Sequence, residues 1–335
     1  MLTRATDQSN EDATPDTLFN VPPYKAPELH ASGEWFNSGP LTLANLRGKV
    51  VLIDFWTYSC INCIRSLPYL QAWYEAYKDS GLVVIGVHAP EFEFEKMAAN
   101  VKRAIADRKL SYPVVQDNDF TTWRAYHNHY WPAHYLVDKD GLVRREHFGE
   151  GEYDETEQAI RALLAEAGGD VKSPMTVQQP AMVPIQDGQT PETYLGYERG
   201  ANFVNVTEYA PDESAQYTLV DKLETNEWSL GGEWRIGPMD TVATGEESTL
   251  RIKFSAREVY LVMDGPEGAT ATLKLDGKAV TQTHGGGADV GDAGRVHLDG
   301  ARLYRLIKLP TFTTNTTLDI MLPKGTVVNA FTFGG

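Results

Sequence analysis

The sequence predicts two domains of different fold class, an α/β domain followed by an all-β jelly roll or sandwich. Between Pro27 and Gly169, short apolar runs alternate with segments of helical periodicity, which indicates βαβ units and a central sheet with helices on both faces. After residue 191 the helical signal ends, and short segments alternate apolar and polar residues between Gly and Asp turns. A length of 335 residues is ordinary for two domains.

The elements of the first domain follow from hydrophobic periodicity. Apolar runs predict strands, and apolar residues at helical spacing predict helices between them. The predicted strands are Val50–Phe55, Leu82–His88, Tyr112–Gln116, Ala133–Asp138 and Leu142–Phe148; the predicted helices are Ile64–Lys78, Glu95–Lys109, Thr121–His127 and Glu155–Ala167. Lys139-Asp-Gly141 is a turn signal, so the last two strands are expected to form an antiparallel hairpin at the sheet edge.

Composition shifts set the domain boundaries. Residues 1–24 are polar and are predicted to be a disordered lead-in to a domain spanning 25–169. Residues 170–190 are rich in Pro, Gln and Thr and are predicted to be a linker. The second domain then spans 191–335, with alternation clearest at Leu250–Phe254, Ala271–Leu275 and Leu318–Leu322, and with turn signals at Asp276-Gly277 and Lys324-Gly325.

Charge and hydropathy exclude some classes of partner. The formal net charge of −16 argues against nucleic acid or an anionic membrane surface, because like charges repel. No apolar stretch approaches the roughly 18 residues that span a bilayer. The first ten residues lack the apolar core of a secretory signal, so the chain is expected neither to export nor to anchor itself.

The only two cysteines form one C-x-x-C motif, Cys60-Ile-Asn-Cys63, between an apolar run and a predicted helix. Thiol–disulfide exchange needs a thiolate, and a helix N-terminus lowers a thiol pKa through its free N–H groups and dipole. We therefore expect Cys60, at the strand-to-helix junction, to be the nucleophile. Cys63, one turn further on, is expected to be the resolving thiol.

The C-x-x-C motif and the acidic residues that follow in the sequence have other possible interpretations. The motif is also half of a zinc site, but His127 and His129 lack metal-ligand spacing, so no metal is expected. Glu91, Glu93 and Glu95 follow the strand that ends at His88. Either Glu91 or Glu93 tunes the cysteine pKa values, or the cluster is a solvated helix start that suits the dipole.

The segment from Val51 to Trp56, followed by the C-x-x-C motif and Pro68, resembles the active-site segment of the thioredoxin family. The resemblance implies that Asp54 is the buried acid that accepts the proton of the resolving thiol. An acid among apolar strand residues fits that role independently, because burial raises a carboxyl pKa.

The same resemblance implies further active-site positions. Pro68 matches the proline that kinks the active-site helix, and Pro132, after Trp131, matches the cis-proline that faces the dithiol. Trp56 and Trp131 are supporting residues. Ser59 and the Ile61-Asn62 dipeptide depart from the family pattern of Trp and Gly-Pro, and this dipeptide affects the redox potential, so the direction of electron flow is not determined.

Residues 91 to about 119 resemble the insert of the TlpA and cytochrome-c-maturation branch. The motifs Thr190–Gly196, Leu230–Trp234, Leu303-Tyr304 and Ala330–Gly334 resemble DipZ-type proteins. Those proteins fuse a CcdA-like transmembrane electron carrier, a TlpA-like thioredoxin domain and a β-sandwich similar to carbohydrate-binding modules. The resemblance implies an extracytoplasmic thiol–disulfide oxidoreductase, excised from a membrane-tethered parent, whose redox centre is the Cys60–Cys63 pair with no other cofactor.

This resemblance also implies partners: protein disulfides as substrates, a CcdA-like electron donor, and a β-sandwich that binds substrate or glycan. Four aromatic residues are candidates to stack on sugar rings, and equally are large side chains for a sandwich core, which is the preferred interpretation for most of them: Tyr194, Tyr197, Trp228 and Trp234. The alternative function is a glycan- or protein-binding protein whose Cys60–Cys63 disulfide is structural.

Overall fold

A computed structural model describes residues 18–171, 174–176 and 186–334. Within these residues the chain divides into two compact units near residue 180. No helix in these ranges combines the length and apolarity needed to cross a membrane.

The first unit contains a seven-stranded mixed sheet. Its strands are β1 (Tyr24–Lys25), β2 (Trp35–Phe36), β3 (Val50–Trp56), β4 (Leu82–His88), β5 (Val114–Gln116), β6 (Ala133–Val137) and β7 (Leu142–Phe148). Their order is β1-β7-β6-β3-β4-β5-β2. Strands β3, β4 and β5 are parallel; β6 pairs antiparallel with β3, and β7 pairs antiparallel with β6. The C-terminal end of β3 therefore lies in the centre of the sheet.

Four helices cover both faces of this sheet: α1 (Ile61–Tyr77), α2 (Ala98–Asp107), α3 (Thr121–Ala125) and α4 (Tyr153–Glu166). Alternate residues of β3 enter two separate cores. Leu52 packs in one core with residues of α1 and α4, and Ile53 packs in the other with Trp123 of α3. The predicted thioredoxin-like α/β class is thus confirmed.

Two details differ from the sequence prediction. Leu18 is buried, and its carbonyl oxygen accepts a hydrogen bond of 2.9 Å from Arg145, so residues 18–24 are not a disordered lead-in. Strand β1 pairs with β7, so the predicted hairpin is not the outermost pair. Both β1 and β2 are two residues long, too short for periodicity to reveal. Residues 1–17, and residues 172–173 and 177–185 of the predicted linker, lie outside the described ranges.

The second unit is all-β, as predicted. Its strands are β8 (Thr193–Tyr194), β9 (Ser214–Tyr217), β10 (Trp228–Ile236), β11 (Thr241–Ala243), β12 (Ser248–Asp264), β13 (Thr270–Leu275), β14 (Lys278–Ala279), β15 (Arg295–His297), β16 (Arg302–Leu322) and β17 (Val327–Gly334). The N-terminal half of β12 pairs with β10 and its C-terminal half with β17, across irregularities between Phe254 and Tyr260. This one strand therefore pairs with different neighbours along its length, within a sheet of ten strands in the described residues.

Candidate active site

Cys60 is the N-cap residue of α1, directly after the loop that leaves β3. Its Sγ accepts a hydrogen bond of 3.3 Å from the Cys63 N–H. Cys60 is partly exposed, whereas Cys63 is fully buried, and both are free thiols. The Cys60 sulfur thus lies at the positive end of the helix dipole and accepts one of the first N–H groups of the helix. The structure therefore gives the two thiols different chemistry.

Burial raises the pKa of Cys63 well above 9.0, and the hydrogen bond and charge of Cys60 raise it further. A hydrogen bond from the Thr57 backbone acts in the opposite direction, and the charge of Asp54 adds to the increase. Cys63 thus keeps its proton in the dithiol. It needs a base before it can attack a mixed disulfide.

Asp54 lies on β3 and is fully buried. Burial raises its pKa, and the hydrogen bond and charge of His134 lower it in part. His134 Nε2 is 3.3 Å from Asp54 Oδ1. Asp54 and Cys63 interact electrostatically, so an Asp54 carboxyl of raised pKa can take up the proton that Cys63 gives up.

The Trp131–Pro132 peptide bond is cis, as the family resemblance implied. The carbonyl oxygen of Trp131 is 4.0 Å from Cys60 Sγ, so the start of β6 borders the exposed thiol. The Trp131 indole N–H donates a hydrogen bond of 3.1 Å to the Ala89 carbonyl, which holds this loop against the end of β4. Backbone groups beside Cys60 are thereby fixed in place.

Trp56 and Pro68, two of the predicted supporting residues, lie at the end of β3 and inside α1. Trp56 is buried and packs edge-on against His88, with ring centres 5.2 Å apart. Pro68 lies inside α1, where it has no N–H to donate to the preceding turn. Neither side chain carries a titratable group.

Among the three predicted acids, Glu95 is the one whose carboxylate is hydrogen-bonded to the dithiol loop in the described residues. Glu93 is exposed and pairs with Lys96 at 2.6 Å. Glu95 is fully buried and accepts hydrogen bonds from the Ser59 hydroxyl at 2.6 Å and from the Ser59 N–H at 3.3 Å. It also accepts bonds from the N–H groups of Glu91 and Phe92. Glu91 contributes its backbone N–H to this cluster, and its charge raises the pKa of Glu95; an effect of Glu91 on the cysteine pKa values stays a prediction.

Burial raises the pKa of Glu95, and hydrogen bonds from Ser59 and Thr57 lower it in part. The sequence contained a signal for this residue. Glu95 lies three positions after Phe92, the N-cap of a short 3-10 helix, which is the spacing at which a glutamate side chain reaches back to the N-cap N–H.

His134 and His147 were not predicted as site residues. His134 lies on β6 two residues after Pro132, inside an apolar run, and is buried. A histidine in a buried strand was the available signal, but its position beside Asp54 depends on strand register.

The predicted aromatic platform of the second unit is wrong for Trp228 and Trp234. Both are buried in the sandwich core, so the core interpretation applies to them. Their indole N–H groups donate to the carbonyl oxygens of Ala201 and Gly231, at 2.7 and 3.0 Å. Tyr194 is half-buried, and the Arg199 guanidinium lies 3.4 Å from the centre of its ring.

One pocket on the second unit is open, and buried Trp228 forms part of its wall. This pocket has a volume of about 280 Å³, and its lining includes Tyr197, Phe203 and Tyr209. Tyr197 and Tyr209 are 40% and 42% exposed, so their rings are accessible at this pocket.

Within the ranges that the structure describes, no three His, Cys, Asp or Glu side chains are grouped as metal ligands. His127 and His129 are both exposed.

Comparisons with known proteins match both units. Residues 22–146 match the AhpC/TSA family, and residues 190–334 match the thioredoxin-like C-terminal domain. The chain is 39% identical over 314 residues to Protein DipZ of Mycobacterium bovis, covering 92% of this chain and 43% of DipZ. It therefore spans less than half the length of DipZ.

Two further relatives match the first unit. Thiol-disulfide oxidoreductase YkuV of Bacillus subtilis is 33% identical over 141 residues, covering 42% of this chain and 94% of YkuV. The crystal structure of the thioredoxin-like superfamily protein SPOA0173 is 32% identical with a TM-score of 0.40, covering 42% of this chain and 96% of that chain.

A C-x-x-C motif at a helix start, a buried acid on the central strand and a cis-proline beside the exposed thiol define a thioredoxin-type dithiol protein. The near-complete coverage of YkuV makes the assignment specific. The chain belongs to the thioredoxin-like thiol–disulfide oxidoreductases, and it is an enzyme of that class.

Proposed function

We propose that this enzyme reduces disulfides of extracytoplasmic proteins, with Cys60 as nucleophile, Cys63 as resolving thiol, Asp54 as proton acceptor and Pro132 beside the bound substrate. The asymmetry of the two thiols carries the proposal. Cys60 is partly exposed at a helix N-cap, whereas Cys63 is buried and its pKa is raised.

The reaction has two steps. The Cys60 thiolate attacks a substrate disulfide, an S–S bond forms to Cys60, and one substrate thiolate leaves and takes a proton from solvent. Cys63 then gives its proton to Asp54 and attacks Cys60 Sγ. The Cys60–Cys63 disulfide forms, and the second substrate thiolate leaves and is protonated. The substrate gains two electrons, and the dithiol–disulfide pair is the only redox group required.

The oxidised enzyme needs an electron donor, and we assign this role to a CcdA-like transmembrane carrier. The similarity to DipZ supports this donor, because DipZ-type proteins join such a carrier to the same pair of domains. We propose an extracytoplasmic, membrane-tethered location, which the same similarity supports.

For the sandwich we propose a glycan- or substrate-binding role at the pocket beside Tyr197 and Tyr209. Exposed aromatic faces support it, since they stack on apolar sugar faces. A glycan array with the wild type and the Tyr197→Ala and Tyr209→Ala variants tests the glycan part. Binding that both variants lose supports it, and no binding by the wild type removes it.

Trapping of mixed disulfides tests the enzymatic function. A Cys63→Ser variant, exposed to extracytoplasmic proteins, is expected to accumulate mixed disulfides through Cys60, and a Cys60→Ser variant is expected to form none. Reduction of insulin by Cys60→Ser would contradict the role of Cys60. A Cys60–Cys63 potential far below about −300 mV, with unreactive thiols, would instead indicate a structural disulfide.

A further inference from the structure

Three titratable side chains lie in one row across three neighbouring strands. Asp54 on β3 is the register partner of His134 on β6, and His134 is the partner of His147 on β7. His134 Nε2 is 3.3 Å from Asp54 Oδ1, and the rings of His134 and His147 have centres 5.9 Å apart and planes inclined by 30°. The row continues to Glu152, whose Oε2 is 3.3 Å from His147 Nδ1.

Exposure increases in one direction along this row. The side chains of Asp54 and His134 are 0% and 3% exposed, that of His147 is 10% exposed, and that of Glu152 is 54% exposed. The row therefore connects the acid beneath the dithiol to solvent, and each of its members can bind and release a proton.

Packing alone does not account for these histidines. A buried polar ring is costly unless it is hydrogen-bonded. In the described ranges, Nδ1 of His134 and Nε2 of His147 are buried without a hydrogen-bond partner. An apolar pair would fill the same space without this cost, so the rings serve another purpose.

The proposed reaction supplies that purpose. Asp54 is fully buried, so a proton that it takes from Cys63 has no direct route to water. We propose that His134 and His147 are proton-relay residues that carry the Cys63 proton from Asp54 to Glu152 and solvent. This inference rests on the proposed dithiol reaction and adds the path by which its proton leaves.

The transfers balance. Cys63 passes its proton to an Asp54 oxygen as the Cys60–Cys63 bond forms, and Asp54 passes a proton to His134 Nε2. The proton then crosses to His147 and leaves through Glu152, so that Asp54 returns to its carboxylate form. The 5.9 Å between the ring centres requires rotation of a ring or one bridging water.

The charged surroundings suit a relay. Asp54 is faced by His134, by Cys63 of α1 and by Tyr112, which precedes β5. Burial lowers the pKa of His147, as do His134 and Arg145, whereas Glu152 and the Glu150 backbone raise it. His147 is thus neutral near pH 7 and able to accept a proton.

Stopped-flow kinetics with oxidised glutathione can measure the two chemical steps separately. Attack by Cys60 is followed in a Cys63→Ser background, and resolution is followed with both cysteines present. The relay variants are His134→Phe and His147→Gln. The control is Tyr135→Phe, which alters the next residue of β6, on the opposite face of the sheet. Glutathione is used so that the result does not depend on the identity of the protein substrate.

We expect His134→Phe to slow resolution about tenfold near pH 7 and to leave attack unchanged. This effect is smaller than the roughly 10²–10⁴-fold of direct general acid–base catalysis, because His134 acts through Asp54. Its resolution profile is expected to move to higher pH. For His147→Gln, we expect slower resolution that increasing imidazole buffer restores. Tyr135→Phe is expected to match the wild type in both steps.

Unchanged resolution rates and pH profiles in both relay variants would overturn the inference. Equal slowing of attack and resolution would also overturn it, because that pattern indicates a structural role. If His134→Phe does not fold, the less buried His147→Gln variant tests the inference by itself: its resolution rate either rises with imidazole concentration, as a relay requires, or it does not. Absence of mixed disulfides with proteins would contradict the proposed function but not the relay.

Discussion

The two units differ in what they bury. In the described part of the chain, every buried Asp, Glu, His and Arg belongs to the first unit, and Asp54, His88, Glu95 and His134 lie around the dithiol. The buried polar side chains of the sandwich are hydroxyls and amides. Asn205 is typical, because its amide bonds Ser229 and the backbone of β10. Buried ionisable groups cost stability, so their concentration in one unit marks where the chemistry occurs.

The largest expected effect comes from the apolar core of the second unit. Trp234→Ala removes a fully buried indole from the sandwich core and is expected to lower the free energy of unfolding of that unit by about 3–5 kcal/mol. Urea unfolding measures the change, with exposed Tyr197→Ala as the control. Rates of glutathione reduction per folded molecule are expected to stay constant. A large fall in those rates would contradict the conclusion that the dithiol chemistry depends on the first unit alone.

His88 tests how much a buried ionisable side chain of the first unit costs in stability. Burial lowers its pKa from 6.5 to about 3, so the folded protein keeps it neutral where the unfolded chain protonates it. The free energy of unfolding is therefore expected to fall as pH falls from 6.5 toward 3, by up to about 4 kcal/mol. Urea titrations at several pH values measure this. His88→Leu should weaken the pH dependence and exposed His129→Gln should not; equal slopes in all three proteins would contradict it.

Asp54→Asn exchanges function for stability. The raised pKa of Asp54 means that the folded state binds its proton more tightly than the unfolded chain does, so stability falls as pH rises from about 4 through the folded pKa. The variant is expected to be more stable at pH 8 by about 2 kcal/mol and to resolve mixed disulfides more slowly. Exposed Asp107→Asn is the control. If the variant is no more stable than the wild type, the buried charge of Asp54 must be compensated by its surroundings.

The smallest effect compares two serine–glutamate pairs. Ser59 donates to buried Glu95 at 2.6 Å, and Ser111 donates to Glu75 at 2.8 Å on the surface. Ser59→Ala is expected to cost about 1–2 kcal/mol, because a buried carboxylate loses a donor, and Ser111→Ala less than about 0.5 kcal/mol. Urea unfolding gives both values. Equal values would mean that burial does not strengthen the Glu95 cluster.

The sequence predicted most of the first unit because its long elements have clear periodicity. Strands β4 and β7 begin and end at the predicted residues, and β3 differs by one residue. The C-x-x-C motif also placed Cys60 at the helix start correctly. The row of Asp54, His134 and His147 was not predictable in the same way. These residues are far apart in sequence, and only the strand register brings them together.

The N-cap position of Cys60 has a consequence for motion as well as for reactivity. The same sulfur that would form the disulfide accepts the Cys63 N–H and so closes the first turn of α1. A thiolate accepts such a bond more strongly than a disulfide sulfur does. Each round of electron transfer would therefore loosen or tighten the start of this helix, and the exchange rate of one backbone amide would follow the oxidation state of the enzyme.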